Sequence, residues 1–337
     1  MPDEIRAGIV GAGFWATEMH MPALQSLSGV RIVAVASRSG QSARSAGERF
    51  GIPRTTTEYM DLVNDPEIDV IDIVAPNDVH APVAIAAAER GKHVICIKPI
   101  ALTVVQADQM LAAASKAGVR LFYAENVPFI PAVRRAREVV DAGRVGEVFR
   151  VKACEGISAP HTSWFLDPAR SGGGATIDMA VHSIAFCRFM TGSEVETVSA
   201  EIGTFVHKDA PVEDTVVMTL RFRNGAIGQC EDSWSLAAAM DSRFEVFGTR
   251  GRILIDNLHR QPIQVANERG WTFPLPISAD IADGHRAMLS HFIDCLRSGQ
   301  QSESEAEDGR VVLSVVEAAI HSARTGQRQV VSAVGVR

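Results

Sequence analysis

The sequence predicts an α/β protein with two domains, a doubly wound parallel sheet followed by an α+β domain with an open, mainly antiparallel sheet. Three observations carry that expectation. Short Val- and Ile-rich segments alternate with helical ones through the first 123 residues. A glycine-rich turn follows the first of those segments directly. From residue 195 onward, strand-like segments succeed one another without helices between them. Strand–helix alternation implies parallel pairing with crossover helices, and strand–strand succession implies antiparallel pairing. The expected domains are 1–123 and 124–337, in keeping with the roughly 100–200 residues of an ordinary domain.

The first strand candidate, Ala7–Val10, runs into Gly11-Ala12-Gly13-Phe14-Trp15-Ala16 and a helix-capable stretch, Thr17–Leu27. A dinucleotide needs a tight turn at Gly11 and no side chain at Gly13, so that backbone can reach the pyrophosphate. It also needs a small residue at Ala16, so that helix and strand pack closely. The helix N-terminus then faces the phosphates. Phe14 and Trp15 lie inside the turn and are taken with it as cofactor contacts. The rival reading is an ordinary glycine-rich turn; the strand before it and the helix after it favour the dinucleotide.

The second candidate, Arg31–Ser37, ends in Ser37-Arg38, where an NAD-specific domain usually carries an acid toward the adenosine ribose. A hydroxyl and a guanidinium suit a 2′-phosphate instead, so NADP is preferred to NAD; the rival reading is a solvated loop arginine. The third, Val70–Val74, is nearly all apolar, as in a parallel strand covered on both faces. It leads into Ala75-Pro76-Asn77-Asp78-Val79-His80. Strand C-terminal ends form the binding crevice, so Pro76, Asn77 and His80 join the cofactor candidates. Asn77 could instead cap the helix Val79–Arg90, and His80 could be structural. The fourth, His93–Ile97, ends in Lys98-Pro99. A lysine there would polarise a reacting C–OH or C=O; the alternative is a surface lysine. Helix Val104–Lys116 and strand Arg120–Tyr123 complete this half.

In the second half, helix Val133–Ala142 precedes strand Val148–Cys154, an irregular loop from Glu155 to Gly173, and a helix over about Ala175–Thr191. Strands Val195–Phe205, Asp214–Phe222, Ala226–Trp234, Arg243–Phe247 and Arg252–Asp256 follow, with Asn224-Gly225 as a hairpin signal. Two helices end the pattern, Ile281–Arg297 and Glu305–Arg324, joined by a polar segment, Ser298–Glu307, expected to be exposed. Before the middle helix stand Gly172, Gly173 and Gly174, which permit close backbone approach to a ligand. Asp178 and His182 are four apart, hence neighbours on one helix face, and suit general acid–base work. A metal pair or a plain surface contact are the alternatives, and no third ligand spacing supports a metal.

Apolar residues make up 46% of the chain, charged residues 22%, and the net charge is −7 with no long basic run, which argues against nucleic acid as a partner. The five cysteines are far apart and include no CxxC, so a disulfide framework or cysteine zinc site is not expected and a cytoplasmic setting is. The apolar pattern begins soon after Met1-Pro2-Asp3-Glu4, so no leader is expected, and no apolar run approaches the ~20 residues of a membrane span.

These stretches together resemble the glucose–fructose oxidoreductase/inositol dehydrogenase (Gfo/Idh/MocA) family. The resemblance is carried by residues 8–24, 35–39, 74–101 and 164–182, by Asn126…Phe129-Ile130-Pro131, and by Gly143-Arg144-Val145-Gly146-Glu147-Val148. It implies a Rossmann domain followed by an open α/β domain, acting with NADP or NAD on sugars, inositols or related polyols and ketones. It implies that Lys98 touches nicotinamide and substrate, that Asp178 orients substrate, and that His182 exchanges the proton of the reacting hydroxyl. Asn126 and Trp164 join the substrate contacts on the same basis. Two departures stand out: Ile97 replaces the glutamate of the usual Glu-Lys-Pro, for which Glu125 could substitute, and Ala185 replaces an aspartate common three residues after the histidine.

The leading expectation is therefore an NAD(P)-dependent oxidoreductase interconverting a secondary alcohol and a ketone on a sugar-like molecule. The alternatives are NAD-assisted glycoside hydrolysis and a non-catalytic nucleotide-sensing regulator. In the strand around Val216-Val217-Met218-Thr219-Leu220-Arg221-Phe222, one face is apolar and the other mixes apolar with hydrogen-bonding groups. With the family's habit of pairing through this face, that predicts a homodimer or homotetramer.

Overall fold

The computed structural model describes residues 4–237, 240–258, 262–268, 270–272 and 277–331; residues 1–3, part of the expected leaderless start, lie outside that description. The chain forms two compact units, residues 1–125 with 285–310, and 126–284 with 311–337. Where the sequence suggests one contiguous division at 123/124, these units part after residue 125 and residues 285–310 group with the first.

In the first unit, β1 (Ile5–Val10) leads into a π-helical turn, Ala16–His20, and α1 (Met21–Ser26). Then come β2 (Val30–Ala36), α2 (Gly40–Phe50), β3 (Arg54–Thr56), α3 (Tyr59–Val63), β4 (Val70–Ile73), α4 (Asn77–Glu89), β5 (His93–Ile97), α5 (Val104–Ala117) and β6 (Leu121–Ala124). The six strands are parallel in the order β3-β2-β1-β4-β5-β6. The order reverses between β1 and β4, the switch point at which such sheets open a crevice. Local chemistry sets the helix ends. Thr103 accepts from the Gln106 N–H at the start of α5, and left-handed Gly118 ends it. β3 was not expected: only three residues long and exposed, Arg54–Thr56 carries no apolar pattern.

One residue in the apolar third strand behaves unlike its neighbours. Asp72 is fully buried, with both carboxylate oxygens 2.9 and 3.1 Å from Nδ1 of His20, which is also fully buried. This pair ties the end of the π-helical turn to β4, and a buried carboxylate needs such a partner. The polar segment Ser298–Glu307 is exposed as expected at residues 298–301 and 303 but departs from expectation further on. Ser302, Ser304 and Ala306 are buried, Ser304 Oγ donates to Tyr123 O at 2.7 Å, and Arg120 pairs with Glu305. Two serines are buried here because other segments supply their hydrogen-bond partners, Tyr123 of β6 for Ser304 and His291 for Ser302.

The second unit contains α6 (Pro131–Asp141), β7 (Val148–Gly156), α7 (Pro168–Ser171), α8 (Ala175–Asp178), α9 (Ala180–Thr191), β8 (Val195–Gly203), β9 (Thr215–Phe222), β10 (Ile227–Ser233), β11 (Asp241–Gly248), β12 (Gly251–Asp256), β13 (Ile263–Asn267) and β14 (Gly270–Thr272). Helices α10 (Ile281–Ser298) and α11 (Ala306–Thr325) each continue across a unit boundary, and β15 (Gln329–Val330) follows. Among the described residues the sheet has the order β14-β13-β12-β11-β7-β10-β9-β8-β15. Only β7 and β10 pair in parallel; the other pairs are antiparallel. The Asn224-Gly225 hairpin forms as expected, with Gly225 at φ 89°. Val216, Met218, Leu220 and Phe222 are buried, while Val217, Thr219 and Arg221 are exposed. Helix α9 covers the inner face, where Phe186 stacks on Phe244 at 4.4 Å.

Candidate active site

Gly11 fills the gap between two strand ends. Its N–H donates to Ala36 O at 2.8 Å, its φ is 120°, and a Cβ would stand 1.9 Å from Val74 O. Only glycine fits there. Gly13 differs: it is exposed, and a Cβ would meet nothing within 4 Å. Steric need inside the chain therefore explains Gly11 but not Gly13, whose open front fits a pyrophosphate. Ala16 is fully buried, and Thr17 N–H donates to Gly13 O at 3.0 Å. Phe14 is 51% exposed and meets Trp15 edge-on at 5.3 Å. Trp15 stacks at 5.8 Å on His285, a residue the sequence did not flag.

Ser37 N–H donates to Thr56 O at 3.0 Å just past β2, and Arg38 is exposed one residue before Ser39, which caps α2. Residues 37–39 thus bring no carboxylate to the end of β2. Helix α4 starts at Asn77 with Pro76 before it, so Asn77 is buried in the first turn and is not the cap. His80, counted above with the cofactor contacts, is fully buried. Its Nδ1 lies 2.8 Å from Pro99 O and its Nε2 2.8 Å from Ala75 O. Burial pushes its pKa below the ordinary imidazole value against the pull of both carbonyls. The ring braces the loop after β4 against the Lys98-Pro99 turn, which leaves neither nitrogen for a nucleotide.

Lys98 is half-buried, its bond to Pro99 is cis, and its N–H donates to Ala124 O at 3.3 Å. Ile97 pairs in register with Ala124 and is buried, and the next residue after Ala124 is Glu125, also buried. The chain thus carries a carboxylate at the end of β6 where the usual motif would carry one at the end of β5.

In the second unit, Asp178 and His182 do not share one continuous helix. Asp178 ends α8, Met179 interrupts with φ −101°, and α9 starts at Ala180. Asp178 is buried and accepts at Oδ2 from Trp234 Nε1 at 2.9 Å; His182 is half-buried. Two of the three glycines before them serve the chain itself. Gly172 ends α7 in the left-handed region, and a Cβ on Gly174 would fall 1.8 Å from Glu213 O. Trp164, half-buried, stacks on Phe165 at 3.8 Å, and Phe165 meets Trp234 edge-on at 6.0 Å. Asn126 is buried and accepts the Phe129 N–H at its backbone oxygen, 2.9 Å away.

Sequence reasoning missed a polar row beneath α9. Asp232 and Glu155 are register partners on β10 and β7, facing inward, and both are buried. Ser183, next to His182, donates to Asp232 Oδ1 at 2.6 Å. Asn257 donates to Ser242 Oγ and Ser242 donates to Glu155 Oε1, each at 2.9 Å. Burial raises the Asp232 carboxyl to about 8, against the Ser183 hydrogen bond, with Glu231 raising it further. Acids that look like outward strand residues in the sequence gave no signal of this, because alternation fixes a face and not what covers it. Among the described residues no group of three or more His, Cys, Asp or Glu is placed to hold a metal ion, and no helix is long and apolar enough to cross a membrane.

Comparison with known proteins agrees with this fold. Residues 5–125 match the model of the oxidoreductase family's NAD-binding Rossmann fold, and residues 133–254 match the GFO/IDH/MocA C-terminal domain. The myo-inositol 2-dehydrogenase of Thermotoga maritima is 29% identical over 317 residues, covering 92% of this chain and 93% of that protein. An uncharacterized oxidoreductase of Rhizobium meliloti is 31% identical over 351 residues, covering 98% of this chain and 100% of that one. Among solved structures, a levoglucosan dehydrogenase in complex with NADH and levoglucosan superposes with a TM-score of 0.90 at 26% identity, covering 97% of this chain and 99% of that one.

Proposed function

Because the chain belongs to the Gfo/Idh/MocA family of oxidoreductases, we propose that it interconverts a secondary alcohol and its ketone on a sugar or polyol, with NADP preferred to NAD. The observation that carries the reading is the Asp178–His182 segment: a buried carboxylate held by an indole N–H, and four residues on a half-buried imidazole. The nicotinamide supplies or accepts the hydride when bound. The protein supplies position and charge. Gly11 and Gly13 shape the turn for the pyrophosphate, and Arg38 with Ser37 meets the 2′-phosphate. The Lys98 ammonium stabilises negative charge as it develops on the reacting oxygen. Asp178 accepts a substrate hydroxyl and His182 Nε2 or Nδ1 takes or returns the hydroxyl proton. The names of the inositol and levoglucosan dehydrogenases support a polyhydroxylated substrate. The outer face of the nine-stranded sheet supports assembly as a homodimer or homotetramer.

The deciding experiment is a screen of polyols, aldoses and ketoses with both nucleotides, read at the nicotinamide absorbance. With a responsive substrate, Lys98→Met and His182→Ala should keep nucleotide binding and lose about 10²–10⁴-fold in turnover, the usual loss on removing a general acid or base. A His182→Ala variant turning over at nearly the full rate would reject its proton-transfer role.

A further inference from the structure

Asp178 is held by more than its own short helix. Its Oδ2 accepts from the indole of Trp234, a fully buried side chain just past β10. The Trp234 backbone N–H donates to Asp214 O at 2.7 Å, and Trp234 O lies 3.0 Å from His207 Nε2. Phe165 packs edge-on against the indole. The backbone leading to Asp178 is held by the neighbouring residue, Glu213. Its Oε1 accepts the N–H groups of Gly174 and Thr176, each at 3.1 Å, and its backbone oxygen accepts the Ala175 N–H at 2.9 Å. First-turn N–H groups have no partner inside their own helix. Gly174 has no side chain with which to cap them, so Glu213 does so from the loop before β9.

Both arms start from one anchored point. Asp214 accepts the N–H groups of Phe205 (3.0 Å), Val206 (2.7 Å) and His207 (2.9 Å) and the Thr215 hydroxyl (2.9 Å). Burial would raise its pKa, but these donors outweigh burial and hold it below the ordinary carboxylate value. Adjacent residues Glu213 and Asp214 thus fix, respectively, the backbone before Asp178 and the tryptophan that donates to its carboxylate.

We propose that Glu213 and Trp234 are positioning residues that act through Asp178, setting its carboxylate for the substrate. The proposal rests on the reading of Asp178 as the substrate-orienting group. An indole can only donate, so it fixes the carboxylate as acceptor and sets its rotation. Small displacements matter here, since a misplacement of about 1 Å can cost about a hundredfold in rate.

The test uses the full chain labelled with 15N at indole nitrogens, which gives one resonance for each of four tryptophans. Trp234→Phe identifies its own signal by deletion. Asp178→Asn should move that signal, since the acceptor loses its charge. Glu213→Ala should move it and speed its exchange with solvent, whereas Glu213→Gln, whose amide oxygen still accepts both N–H groups, should match wild type. With a responsive substrate, Trp234→Phe and Glu213→Ala should lose about tenfold to a hundredfold in kcat at unchanged nucleotide Kd, with Glu213→Gln restoring it. An indole signal that Asp178→Asn leaves in place overturns the proposal, as does Gln at 213 being as harmful as Ala. If Glu213→Ala does not fold, the Asp178→Asn and Trp234→Phe arms still decide. Should no sugar or polyol be turned over while the indole series behaves as expected, the proposed reaction fails and the positioning contact stands.

Discussion

Arg38 is the residue on which the proposed preference for NADP rests. It is exposed at the end of β2 with Ser37, and residues 37–39 hold no acid to repel a phosphate. Arg38→Ala should weaken NADP by roughly tenfold or more while NAD changes little, because a charge-assisted hydrogen bond contributes ~1.5–3 kcal/mol and only NADP offers the 2′-phosphate. Fluorescence titration of both nucleotides checks this; equal losses would reject the NADP preference. Asp232 carries a second prediction. Burial pushes its carboxyl up to about 8 from the ordinary aspartate value of about 4, so the folded chain keeps a proton that the unfolded chain releases. Stability is thus fully present below pH ~4 and declines as pH rises toward ~8, beyond which this contribution is flat. Asp232→Asn keeps an oxygen for Ser183 and has no charge to bury. Its gain in stability over wild type, read from denaturant unfolding, should grow from pH 5 to 8 and then level off, reaching on the order of a few kcal/mol. A constant difference at every pH would assign the effect to packing instead.

At the scale of elements, the turn between β1 and α1 separates two roles that the sequence motif merges. Gly11 is required by the fold, since its φ is 120° and Val74 O blocks a Cβ. Gly13 is not, since a Cβ there meets no atom. Gly13→Ala should therefore keep the wild-type Tm within about a degree and lose nucleotide affinity, whereas Gly11→Ala should lower Tm by several degrees. The single-site effects meant are about 1–3 kcal/mol. Thermal melts with and without nucleotide distinguish them. A Gly13→Ala variant that binds as wild type would reject the pyrophosphate contact. The α8–α9 pair shows the opposite balance between motif and context. Four-residue spacing suggested one helical face for Asp178 and His182; the helix is interrupted at Met179, and Glu213 and Trp234 hold the Asp178 end from elsewhere in the chain.

At the scale of the whole molecule, the outer face of the nine-stranded sheet presents Val217, Thr219, Arg221, Ile227 and Gln229 to solvent. Light scattering at micromolar concentration should give twice or four times the 36.2 kDa chain mass, and Val217→Asp should shift the population toward the single chain. A wild-type mass near one chain would overturn the assembly. Residues 285–310 belong with the first unit, a division no local signal announces. Ser304 and Glu305 look like part of a solvated linker, yet Ser304 hydrogen-bonds Tyr123 and Glu305 bridges to Phe122 on β6.

The sequence alone determined the alternating first half, the strand-rich second half, the glycine turn, the Ser37-Arg38 strand end and the hairpin at Asn224-Gly225. Each follows from spacing or from a backbone requirement within a few residues, and such signals are local. Tertiary structure alone decided that His80 braces the Lys98-Pro99 turn, that Asp72 is buried against His20, and that Gly174 accommodates Glu213. It alone placed Glu213, Trp234, Ser183 and Asp232 around the Asp178–His182 segment. In each case a polar group is held by a partner from another segment of the chain, 19 to 56 residues away. Its burial and its hydrogen bonds depend on which strands become neighbours, and periodicity within one segment carries no record of that choice.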